Sequence, residues 1–222
     1  MRRYQFVQRC RPTGDLRTRD VQAFLVLMKE AFGIEGWFHE PHELIGLELE
    51  EIEQRLRATR SKKDLERFGA NWVLGAKTSD DQYLVLTIMV GGDQWAPNDF
   101  SVDFTRTQIL PDLSYFRRSI EIVRPFEAFI SDSASELAID AKFGIRRMEN
   151  EYDLLILRWF QYLNADMIAA AGGLERCLGI PAFKVEPFCE GVLIQLTAEP
   201  FDGHNQRHLA VQEKAMQYLG LV

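Results

Sequence analysis

The sequence predicts an α+β fold: a single domain over 1–222 with helices packed on a mostly antiparallel sheet. Three observations carry that prediction. Apolar residues recur at helical spacing in some segments and alternate strictly in others. The strand-like segments come in pairs joined by short polar turns, as antiparallel hairpins do. No Pro/Ser-rich linker divides the chain, although a weak two-half organisation with its break near 106–125 fits the order helix, hairpin, helix in each half.

In order along the chain, Tyr4 to Val7 alternates as a short strand. Pro12, Gly14 and Asp15 make a loop, and Asp20 is placed to cap a helix running to about Phe32. Its Val21, Phe24, Leu25 and Met28 form one stripe, and Gly33 ends it. The segment 34–46 reads as loop or short turns anchored by Trp37. A second helix follows, with Leu49, Ile52 and Leu56 inward and an acidic outer face carrying Glu50, Glu51 and Glu53; 61–69 adds another turn. The period then switches to two. A strand near Trp72–Ala76, a turn over 78–81 and a strand Tyr83–Val90 form a hairpin. The second of these strands is apolar on both sides, which predicts a central position covered on both faces. Phe100, Val102 and Phe104 share one face of a half-buried strand, with Ser101, Asp103 and Thr105 on the other. Pro111 fits the first turn of a helix carrying Leu113, Phe116, Ile120 and Val123, and a strand follows Pro125. Segment 132–148 is assigned no element. Tyr152, Leu155, Ile156 and Trp159 are spaced as a helix, and Leu154, Leu157 and Phe160 fill its other side, so that helix is expected to be engulfed. A helical stretch over 165–181, broken by Gly172, Gly173 and Pro181, leads to a hairpin that turns near Cys189–Gly191. A helix from about Asn205 to Leu219 closes the chain.

Composition bounds the function. At 222 residues with 46% hydrophobic and 27% charged residues, the chain can bury a substantial core. Its apolar runs are too short to span a bilayer, and no apolar segment of signal-peptide type follows the Arg-rich start. The three cysteines have no C-x-x-C spacing, so each reads as a small buried hydrophobe in a reducing cytoplasm. The net charge is −7. Residues 1–19 carry six Arg and one Asp, a local charge of +5, so the remainder is −12. Nucleic acid requires a basic track, which is mostly lacking; an acidic surface favours a basic protein partner. No membrane contact and no cofactor are expected.

The catalytic vocabulary is thin. There is no G-x-S-x-G, P-loop or G-x-G-x-x-G, and "VGGD" at 90–93 is followed by neither Lys nor a helix cap. In "EPFDGHNQRH", Asp202, His204 and His208 have the residue types of a metal site, and the alternative functions are a metal-dependent hydrolase or an adaptor subunit of another complex. Arg207, however, sets a positive charge beside any cation, and Asn205 reads as an N-cap with His208 at N3. His39 and His42 flank Pro41 in a second metal-type cluster. Asp99 and Asp103 share a strand face, but without the Lys a nuclease would add. Trp95, in a polar loop with Asp93 and Asp99, suits an interface anchor or a ring folded back on the core.

The order of these pieces resembles the immunity protein 52 family of bacterial polymorphic toxin systems. The likeness runs nearly end to end: "GWF" at 36–38, "LTIMVGG" through "PNDFSVDF" at 86–104, a strand after Pro125, "RWFQYLN" at 158–164, and "GIPAFKVEPFCEGVLIQLTAEPFDGHNQRH" at 179–208 before the last helix. The start at "RWF" departs from the Gly-Trp commoner in the family. The resemblance implies a non-enzymatic cytoplasmic protein. Its partner would be a cognate toxin of the restriction-endonuclease-like class, often a type VI secretion effector, whose active site or assembly it blocks. It also implies that "EPFD…H" is a scaffold turn. The acidic segments near a loop aromatic are the expected toxin-binding surface: Asp80, Asp81, Asp93, Trp95 and Asp99 first, then Glu50, Glu51 and Glu53.

Overall fold

The computed structural model describes residues 2–39, 43–78, 83–92, 98–106, 112–144 and 154–222, and it is α+β. The chain divides into two compact units, Val7–Pro125 and Met1–Phe6 with Phe126–Val222. Strand β1 (Arg2–Cys10) gives its first residues to one unit and its last to the other.

In the Val7–Pro125 unit, β1 leads to α1 (Thr18–Phe32), β2 (Trp37–His39), β3 (Glu43–Ile45), α2 (Leu49–Ala58) and α3 (Lys62–Phe68). Then come β4 (Gly69–Lys77), β5 (Tyr83–Gly92), β6 (Asn98–Arg106) and α4 (Leu113–Val123). Hydrogen bonding orders the strands β3-β2-β4-β5-β6 and then β1, and the pairs from β3 to β6 are antiparallel. The α1 stripe is buried as its spacing predicts, with Val21, Phe24, Leu25 and Met28 joined by Leu27 and Phe32. Burial of such side chains contributes roughly 2 kcal/mol apiece. The stripe lies on one face of the sheet. Phe24 meets Phe100 edge-on at 5.3 Å and Phe32 meets Phe104 at 5.1 Å. Cross-strand rows Trp72–Ile88–Phe100 and Leu74–Leu86–Val102 complete that core.

Three expectations need correction here. Asp20 does not cap α1. The helix starts at Thr18 behind Arg17, which adopts a left-handed conformation; Asp20 sits in the first turn and pairs with the Arg17 guanidinium at 2.8 Å. The same guanidinium donates to the carbonyl of Val123 at the end of α4. Segment 34–46 is not all loop. Trp37 is fully buried and donates its indole N–H to the Leu25 carbonyl at 3.2 Å, tying β2 to α1, while β2 pairs with β4 at Phe38–Gly75 and with β3 on its other side. The third concerns β5, which is central but closed on one face only. Leu84, Leu86 and Ile88 are buried, whereas Val85, Thr87 and Met89 are half-buried.

The Gly-Asn pattern ahead of β6 has a physical basis. The buried Asn98 side chain accepts the Gly91 N–H at 3.0 Å and donates to the Arg11 carbonyl and the Thr13 hydroxyl. It pins the loop between β1 and α1. Pro111 lies outside the described residues; Asp112 caps α4 by accepting the Ser114 N–H at 2.8 Å.

In the other unit, β7 (Glu127–Asp132), α5 (Ser133–Phe143), β8 (Phe160–Leu163), α6 (Ala165–Ala170) and α7 (Leu174–Leu178) precede the hairpin β9 (Lys184–Phe188) and β10 (Gly191–Gln195); α8 (Gln206–Leu219) follows. The order is β1-β7-β8-β10-β9, antiparallel from β7 to β9. The helix expected around Trp159 is absent among the described residues: 154–158 form no regular element, and a bend at Trp159 leads into β8. Its burial is as expected, with Leu154, Ile156, Leu157, Trp159 and Phe160 all in the core. The backbone bonds outward, not along a helix. Trp159 accepts the Leu196 N–H at 2.8 Å, extending the β8–β10 ladder, and Leu157 accepts the Gln212 amide at 2.6 Å. Tyr152 lies outside the described residues. Segment 132–148, left unassigned from sequence, holds α5, capped by Asp132.

Of the cysteines, Cys10 and Cys177 are buried and Cys189 is exposed in the β9–β10 turn, against expectation. Burial pushes the Cys10 thiol up to about 11, with Arg17 opposing.

Candidate functional site

The turn "EPFDGHNQRH" is built as a helix entry. The Asn205 side chain accepts the Arg207 N–H at 3.0 Å, which places His208 at N3. The buried His208 ring takes the Asp202 N–H on Nδ1 at 3.0 Å and packs on Phe201, with ring centroids 5.2 Å apart. Asp202 Oδ1 in turn accepts the His204 N–H. The turn is fixed to α5, where Asp132 Oδ2 accepts the Gly203 N–H at 2.6 Å. A Cβ on Gly203 would run into the backbone of Ala134 and Ser135, so this close approach requires glycine. Among the described residues no group of three or more His, Cys, Asp or Glu is gathered as a metal set. Of the second cluster, His39 Nδ1 lies 3.2 Å from the Val73 carbonyl, and His42 lies outside the described residues.

A buried charge cluster in the same unit was missed in the sequence. Arg158 donates to Glu136 at 2.7 Å and to Glu127 at 3.3 Å, and stands 3.7 Å over the Phe129 ring. Gln161 adds a bond to Glu127 at 2.8 Å and accepts the Arg158 N–H. Every charge there has a partner inside the protein, which is the arrangement of a structural ion pair.

The acidic residues fall on separate surfaces. Asp80, Asp81, Asp93 and Trp95 lie outside the described residues. The strand ends flanking 79–82 and those flanking 93–97 are at opposite ends of β5, about 30 Å apart at ordinary strand rise. Asp99 and Asp103 are on β6, opposite Met89 and Val85, on the sheet face away from α1. Glu50, Glu51 and Glu53 are on α2, which packs beside α1 on the other face. The α2 surface is also less acidic than its sequence reads. Glu51 meets Arg55 at 3.6 Å, Glu53 meets Arg57 at 2.7 Å, and Arg55 forks onto Glu43, which it holds below the usual carboxylate range. Glu50 is exposed.

The face of the sheet away from α1 is the feature sequence reasoning missed. Leu44, Phe38, Gly75, Val85 and Asp103 form one row across five strands; Val73, Thr87 and Ser101 form the next; Asn71, Met89 and Asp99 the third. Leu44 is 63%, Tyr83 61% and Val73 47% exposed. A signal was present. Val85 and Met89 give β5 apolar residues on both faces, which reads as coverage on both sides and equally marks a face kept for a partner.

No family model matches the chain, and among curated proteins it has no match. Among the described residues no helix is long and apolar enough to cross a membrane.

Proposed function

We propose that this chain is an immunity protein. It binds a cognate, basic nuclease toxin of the restriction-endonuclease-like class in the bacterial cytoplasm, blocks its active site or its assembly, and does no chemistry on it. Delivery of such a toxin by type VI secretion is part of the proposal. The observation that carries it is the face of the β3–β2–β4–β5–β6 sheet away from α1, where the exposed Leu44, Val73 and Tyr83 share one surface with Lys77, Asp99 and Asp103 in a chain with net charge −7. An apolar patch beside acids suits a protein that carries a basic groove for DNA, since complementary charge speeds encounter and apolar contact slows release. The helix-entry geometry at Asp202–His208 supports the same reading, because those residues are spent on the scaffold.

The test is co-expression in a bacterium with the nuclease gene encoded beside this one. Survival of cells that die with the toxin alone is the expected outcome. Death despite soluble, folded immunity chain would overturn the proposal.

A further inference from the structure

We draw no further inference here: the strongest candidate, the face of the β3–β2–β4–β5–β6 sheet away from α1 around Leu44, Val73 and Tyr83, is an apolar surface with Lys77 beside it, and nothing in the structure shows what covers it.

Discussion

In the Val7–Pro125 unit the strands alternate, buried and open positions one residue apart along β4 and β5, whereas in the other unit β7 and β8 are buried at every position. The two sets of strands consequently solve different problems. A strand buried on both faces must satisfy its polar side chains internally. Glu127 does so through Arg158 and Gln161, and Asp132 through the Gly203 amide. A strand buried on one face has no such obligation and can leave its second row to a partner. The difference separates a region closed on both faces from one closed on a single face, and substitutions in each should behave accordingly.

The largest expected effect is in the fully buried region. Trp159 is 3% exposed and donates its indole N–H to the Thr197 carbonyl at 3.1 Å. Trp159→Ala is expected to cost on the order of 3–5 kcal/mol in chemical denaturation. A loss below about 1 kcal/mol would mean this segment is not part of the core that holds the unit together. Next comes the ion pair. Arg158→Met leaves the Glu127 carboxylate buried without its guanidinium, an expected loss of about 3 kcal/mol. Adding Glu127→Gln should return at least half of it, since the burden is the orphaned charge. A double variant no more stable than the single one would assign the loss to the packing of Arg158 on Phe129 instead.

What could be read in the sequence, and what could not, follows the same division. Where one face of an element is buried, periodicity reveals it. The α1 stripe and the Phe100–Val102–Phe104 face of β6 stand where their spacing puts them. Where an element is buried all round, the spacing is silent. Residues 154–160 are apolar but for Arg158 and satisfy a helical pattern as well as a non-helical one, so only the bonds from Leu196 and Gln212 settle the matter. Strands β2 and β3 are too short to carry a period and exist because Trp37 is buried under α1. The candidate site was hidden for a related reason. Val85 and Met89 announce apolar contact on the second face of β5 but do not say whether the contact is within the chain. The acids were legible as residues but not as a surface: Glu51–Arg55 and Glu53–Arg57 follow from helical spacing, whereas the pairing of Glu43 with Arg55 depends on a three-dimensional neighbour.

Two glycines sharpen the comparison at smaller energies. Gly203 faces backbone atoms of Ala134 and Ser135, which cannot move without shifting the start of α5; Gly75 faces only the tip of the Tyr83 side chain, which can swing into solvent. Gly203→Ala is therefore expected to cost about 1–3 kcal/mol and Gly75→Ala less than about 1 kcal/mol. Equal losses in thermal melts would mean that Tyr83 is held in place as firmly as backbone, and that the open face is stiffer than its exposure implies.

The smallest expected effect on stability falls on the exposed positions of β4 and β5. Val73 and Tyr83 are exposed to 47% and 61%, so truncating either removes little apolar area that folding has taken from water. Val73→Ala and Tyr83→Ala should each leave the unfolding free energy within about 0.5 kcal/mol of wild type. Tyr83→Ala has a second, opposing consequence, since uncovering Gly75 exposes backbone at the centre of β4 and increases local hydrogen exchange there. The measurement is a denaturant titration paired with amide exchange of residues 73–77. Near-wild-type stability with faster exchange confined to β4 fits a ring that only shields a strand. A loss of about 2 kcal/mol or more would place Tyr83 in the folding core of its unit, and the contrast between strands closed on both faces and strands closed on one would no longer hold at that position.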